Sequence, residues 1–177
     1  MPSRSSKTTK PKIGLYVDDS NLFYQQKNAG WKINYGRLIT YLSQYGEVIV
    51  AKYFMGTPNW EPSKSISLAI EKYISAEGYT VIKKPVKRIL DSTKPSGYRH
   101  KCNFDVEIAS EIDDDLEKLD KVYIASGDSD FVCLKDKVIK KGKRIEYLAF
   151  KNGCAWEIRV FHHTFLDDIQ SQIERRQ

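Results

Sequence analysis

Four aspartates stand where a carboxylate can do chemistry. Asp18 closes an apolar run in GLYVDDSNLF, residues 14–23, with Asp19 beside it and the amide of Asn21 just beyond. Asp128 and Asp130 fall in ASGDSDF, residues 125–131, a small-residue turn directly after VYIA. Asp105 begins a helical pattern: at 100° per residue Ile108, Ala109, Ile112, Leu116 and Leu119 lie within about 60° of its direction, so it sits on the apolar face. An ionised carboxylate aimed at a core is costly unless it is paired, hydrogen-bonded or bound to a cation. The helix dipole offsets at most about 1 kcal/mol of that cost. By contrast Glu107, Glu111 and Asp114 point away from the stripe, and most of the acidic EIDDDLE run reads as a solvated face.

Taken singly, Asp18 or Asp128 would serve as a turn residue or helix cap. Their recurrence at two strand ends favours a site. Converging carboxylates suit a hard divalent cation, Mg²⁺ or Mn²⁺, which takes oxygen ligands and can offset charge building on a phosphodiester. His100, His162 and His163 do not pair with cysteines at zinc-ligand spacing.

The elements that must position these acids alternate. Residues 13–17 read as an apolar strand, followed by a helix opening near Asn21. Tyr35, Leu38, Ile39 and Leu42 mark a helix behind the N-cap Asn34, residues 47–54 a strand, and Ile66, Ala69, Ile70 and Tyr73 a helical stripe ending near Gly78. A strand over 79–82 leads into residues 83–101, where periodicity vanishes and two prolines and Gly97 predict a loop. Then come a helix over 103–118, a strand over 121–125, a helix over 129–141 and a strand over 144–149. Residues 155–173 read as helical, with Trp156, Val160, Phe161, Phe165 and Ile169 available for packing. Such alternation predicts an α/β fold, a parallel sheet with helices on both faces, whose ligands gather outside the carboxyl ends of the strands.

At 177 residues and 41% hydrophobic content the chain suits one domain, taken as residues 13–177 behind a flexible basic tail over 1–12. Twenty-nine basic against 23 acidic residues lean toward a polyanionic partner. The predicted loop concentrates that bias: Lys83, Lys84, Lys87, Arg88, Lys94, Arg99 and Lys101 face a single acid, Asp91, with Tyr98 and His100 interleaved for base stacking. Lys135 to Arg144 reads instead as a solvated helix face. Trp31, Trp60 and Tyr98 fall in predicted loops and are further stacking candidates. Cys102, Cys133 and Cys154 form no CxxC pair and read as small core residues in a reduced, cytoplasmic setting without a disulfide. No apolar run is long enough to span a membrane, and a homo-oligomer is left open.

YVDDSN, KCNFDVEIASE, YIASGDSDF and KGKRIEYLAF, taken together, resemble the NYN family of LabA-like proteins within the PIN-like nuclease superfamily, over residues 12–169. The resemblance implies a three-layer α/β/α sandwich with a central, mainly parallel sheet and an acidic Mg²⁺ or Mn²⁺ site, used in many members to hydrolyse RNA. It makes Asp18 the first-strand metal ligand, Asn21 the amide fixing the first loop, Asp105 the helix carboxylate, Asp128 and Asp130 the acids of the turn, and Ser126 their supporting hydroxyl. The chain departs from the family at Asp19, where many members carry a small residue, and at Glu111 and His163, where Asp is common.

The expected function is metal-dependent ribonuclease activity on single-stranded or loop regions of RNA. The rival with the same fold is a regulatory RNA-binding or partner-binding module with little turnover. A signalling receiver would need a phosphoacceptor Asp after a later strand, and residues 47–60 contain none. A haloacid-dehalogenase-like phosphatase would need an Asp-x-Asp pair that residues 18–21 lack.

Overall fold

A computed structural model describes residues 9–176. In chain order the elements are β1 (Lys12–Asp18), α1 (Asp19–Ala29), α2 (Tyr35–Leu42), β2 (Glu47–Thr57), α3 (Ser63–Ala76), β3 (Thr80–Pro85), β4 (Lys87–Leu90), β5 (Tyr98–Lys101), α4 (Asp105–Asp115), β6 (Lys121–Ala125), α5 (Cys133–Lys140), β7 (Arg144–Ala149), α6 (Trp156–Arg159), β8 (His163–Phe165) and α7 (Gln170–Ile173). Six strands form one sheet in the order β3-β2-β1-β6-β7-β8, every neighbouring pair parallel. Chain order runs outward in both directions from β1, so the crevice where ligands collect lies between the carboxyl ends of β1 and β6.

β1 is central and buried on both faces, which is why it reads as an unbroken apolar run. The pleat sends Ile13, Leu15 and Val17 into one core with Leu22, Tyr35, Leu38 and Tyr53. It sends Tyr16 into the other, with Phe104, Ile108, Ile112 and Phe131. Helices cover both faces, giving the three-layer α/β/α sandwich.

Several expectations need correction. Residues 83–101 are not a loop. After β3 extends to Pro85, β4 and β5 form an antiparallel hairpin that pairs Arg88 with His100 and Leu90 with Tyr98. Residues 155–173 are not one helix: β8 adds a sixth strand beside β7, and Trp156 and Val160 are exposed rather than packed. The tail boundary moves too, because Lys12 is already in β1 and donates its backbone N–H to Asp120 at 2.7 Å. Residues 1–8 of the expected tail lie outside the described residues. Trp31 is core, packed on Phe150, and does not offer a free stacking surface. Of the cysteines only Cys154 is buried; Cys133 is exposed. Ile66, expected on the inner stripe of α3, is exposed.

Candidate active site

Asp18 ends β1 and caps α1, and only 4% of it is exposed. Its Oδ1 accepts from the Ser20 hydroxyl at 2.6 Å and the Asn21 N–H at 3.4 Å, and its Oδ2 from the Ser126 hydroxyl at 3.2 Å. Ser126 in turn accepts from the N–H of Asp128 at 3.2 Å. One hydroxyl therefore joins the first loop to the SGDSD turn. Asn21 makes a second tie, its Oδ1 accepting from the Gly127 N–H at 2.9 Å.

Gly127 is where the two loops and the C-terminal segment meet. Its carbonyl accepts from the Ala155 N–H, and a Cβ there would stand 2.5 Å from the Gly153 carbonyl oxygen and 3.1 Å from Cys154 Cα. Only glycine admits that approach. Asp128 then caps the single 3₁₀ turn before α5, accepting from the Asp130 N–H at 3.1 Å.

Asp105 opens α4. Asn103 clamps it from both sides, donating from Nδ2 to Asp105 Oδ2 at 2.5 Å and accepting the Asp105 N–H at 2.8 Å. The other end of α4 is anchored deep in the sandwich. Asp115, 4% exposed, accepts from Tyr16 Oη at 2.8 Å and from Lys52 Nζ at 2.5 Å, and pairs with Lys118 at 2.8 Å. Lys52 also pairs with Glu111. The helix that presents Asp105 is thus locked to β1 and β2 by a buried charge cluster. Asp115 is the buried exception in EIDDDLE, where Asp113, Asp114 and Glu117 are exposed as expected of a solvated face.

Asp18, Asp105 and Asp128 line one pocket of about 310 Å³, together with Ser20, Asn21, His100, Lys101, Cys102 and Asn103. Among the described residues none of these acids has a basic partner within salt-bridge distance, whereas Glu107, Glu111, Asp115 and Glu146 are each held by a lysine. Burial raises the Asp18 carboxyl above the usual range against the hydrogen bonds of Ser20, Asn21 and Ser126, and the charge of Asp128 adds to the rise. Asp105 is raised in the same way, by burial first and then by Asp128, Asp130 and Asp18. Such unbalanced negative charge fits a cation, and the donors are all oxygen. Among the described residues, no three acidic, histidine or cysteine side chains stand close enough to hold an ion as they are.

The remaining expected site residues are placed differently. Asp130 is exposed and does not line the pocket. Asp19 turns to the opposite side of β1, where the Tyr53 hydroxyl donates to it. Burial pushes its carboxyl up to about 6, partly opposed by Tyr53 and reinforced by Asp18. Glu111 and His163 are outside the pocket; Glu111 is held by Lys52, and His163 Nδ1 meets the Phe161 carbonyl. Sequence reasoning missed Ser20 and Asn103, although each stands two residues from an aspartate, the spacing at which side chains clasp a loop backbone.

The basic segment divides in two. Lys83 pairs with Glu71, and Lys84 with Glu107. The hairpin cations Lys87, Arg88, Arg99 and Lys101 are exposed and make no salt bridge among the described residues. Arg88 packs over Trp60 at 4.2 Å and near Tyr98 at 5.6 Å, while Trp60 stacks on His100 with ring centroids 4.7 Å apart. Trp60 and Tyr98 are therefore part of a cationic, aromatic ridge beside the acidic pocket.

Residues 12–169 match the NYN domain. The chain belongs to the NYN domain family. Within reach of this family match is the "Low amplitude and bright protein LabA" of Synechococcus elongatus, 26% identical over 168 residues that span 93% of this chain and 88% of that protein. A crystal structure of a protein of unknown function from Vibrio parahaemolyticus superposes with a TM-score of 0.75 at 20% identity, covering 99% of this chain and 100% of the other. That likeness shows the same sandwich fold in a solved structure. No helix among the described residues is long and apolar enough to cross a membrane.

Proposed function

We propose that this NYN protein hydrolyses RNA phosphodiester bonds at the pocket of Asp18, Asp105 and Asp128. The observation that carries the reading is that three carboxylates from three separate segments line one pocket and, among the described residues, make no salt bridge. Asp18, Asp105 and Asp128 would hold a divalent cation, Mg²⁺ or Mn²⁺, with Asp130 at the rim. When bound, such an ion supplies an activated water and offsets charge at the phosphodiester.

The chain's own residues supply the rest. Ser126 and Ser20 hold the Asp18 carboxylate, Asn103 holds that of Asp105, and the Asn21 to Gly127 bond keeps the two strand-end loops in register. His100 and Lys101 reach the pocket from the hairpin, so a strand lying along Lys87, Arg88, Arg99 and Lys101 would bring a phosphate to the acids. The cations offset the repulsion between those acids and RNA, and the Trp60–Arg88 ridge offers a stacking face for unpaired bases.

A second reading, an RNA-binding regulatory module with little turnover, is favoured by one observation: the carboxylates face the pocket without closing into a ligand cage. Purified protein incubated with single-stranded RNA and Mn²⁺ separates the two. Cleavage that Asp128→Asn reduces at least a hundredfold supports hydrolysis. Retention of RNA without cleavage supports the module, and cleavage by Asp128→Asn equal to the parent overturns the site.

A further inference from the structure

On the other side of β1 from the acids lies a larger pocket, of about 490 Å³, within the roughly 300–1,000 Å³ of typical small-molecule sites. Its walls are aromatic, from Trp31, Tyr35, Tyr53 and Tyr73. Two polar atoms in it accept or donate no hydrogen bond among the described residues. Among the described residues Asp19 takes the Tyr53 hydroxyl on Oδ1 and accepts nothing on Oδ2, and the buried Tyr73 hydroxyl has no hydrogen bond. A buried hydroxyl left unmatched is costly in a pocket that serves only packing, and the free carboxylate oxygen is open to a donor. Lys27, Lys32 and Arg175 line the same pocket, are exposed, and make no salt bridge among the described residues. Arg175 lies over the Tyr73 ring at 4.8 Å.

A matching ligand needs a flat aromatic body, an N–H donor at the carboxylate end and an anion at the cationic mouth. A fatty acid would offer Asp19 no donor, and a cationic amine would be repelled by three basic residues. We propose that this pocket binds a purine nucleotide, its ring against the aromatic wall, a ring N–H donated to Asp19 and its phosphate at Lys27, Lys32 and Arg175. Guanine is the better match, because its N1–H and N2–H₂ lie side by side. The inference stands apart from RNA hydrolysis, since the two pockets share no residue.

The nucleotide is either free or the end of an RNA strand, and amide-resolved NMR titration of the full chain tells them apart. The probes are GMP, guanosine, inorganic phosphate and a short RNA with a terminal guanosine monophosphate. Saturable shifts at Gln26, Tyr73 and Ile74 with GMP assign the free nucleotide; the same shifts with the RNA alone assign a strand end. Guanosine binds at least fivefold more weakly than GMP, and Lys27→Ala or Arg175→Ala, both on exposed side chains, weakens GMP about tenfold. Asp128→Asn binds GMP as the parent does, whatever its effect on cleavage. Ile70→Trp, confirmed folded by its melting curve, abolishes the shifts. Absence of saturable shifts in this pocket with both GMP and RNA at millimolar concentration overturns the proposal, as does unchanged affinity in both cation variants.

Discussion

Gly127→Ala should loosen the site and the fold together. The new Cβ would stand 2.5 Å from the Gly153 carbonyl oxygen and 3.1 Å from Cys154 Cα, both backbone atoms that cannot rotate away. Forcing a methyl into such a contact costs about 1–3 kcal/mol. The movement that relieves it draws Gly127 from Asn21, whose side chain accepts its N–H at 2.9 Å, a bond contributing about 1 kcal/mol. Together these cost about 2–4 kcal/mol, and at about 2–4 °C per kcal/mol for a chain of this size the melting temperature falls by roughly 4–16 °C. RNA cleavage falls further than stability implies, because Asp128 is the next residue and moves with the turn. The control is Gly142→Ala: Gly142 has φ +70° and nothing within 4 Å of a Cβ, so the cost is backbone strain of about 1–2 kcal/mol with cleavage intact. Circular dichroism melts and a gel-based RNA assay on both variants check this. A Gly127→Ala protein with the melting temperature and activity of the parent would refute the close approach and the coupling of the two loops.

Lys52→Met removes one of two cations from buried Asp115 and should cost about 2–3 kcal/mol, toward the low end for a broken buried pair because Lys118 and Tyr16 remain; a denaturant midpoint unchanged from the parent would contradict it. Burial alone would raise the Asp115 carboxyl, but Lys118, Lys52 and Tyr16 hold it below the usual range. Its stabilisation is therefore present above about pH 4, the unfolded value, and is lost as pH falls through the lower folded value. Acid titration followed by circular dichroism should show this loss, and Lys52→Met should shift it to higher pH. Removing Arg99 or Lys101 should weaken RNA binding and lower the slope of log K against log salt by about 0.7 each, whereas Lys83→Ala, whose cation is held by Glu71, should leave the slope unchanged; filter binding across salt concentrations distinguishes them.

The parallel strands and the acids at their ends were legible because buried parallel strands carry continuous apolar runs and small-residue turns mark their exits. The expected bounds of 121–125 and 144–149 coincide with β6 and β7. The hairpin was not, because KRIL and YRHK carry too few apolar residues for a period of two to register. β8 is three half-buried residues whose pairing with β7 depends on distant sequence. Asp115 lies about 80° from the Asp105 direction on a helix, at the margin of the apolar stripe, and its partners Tyr16 and Lys52 come from β1 and β2. Within the site, Asp18 and Asp19 could not be separated by residue type. The pleat separates them, since Asp18 follows Tyr16 to the α4 side and Asp19 falls on the other.

The central claim is most directly tested by crystals soaked in Mn²⁺ and measured for anomalous scattering. A peak bonded to carboxylate oxygens of Asp18, Asp105 and Asp128, absent in Asp105→Asn, is the predicted result. An empty pocket at saturating Mn²⁺, with the three carboxylates held apart, would contradict it.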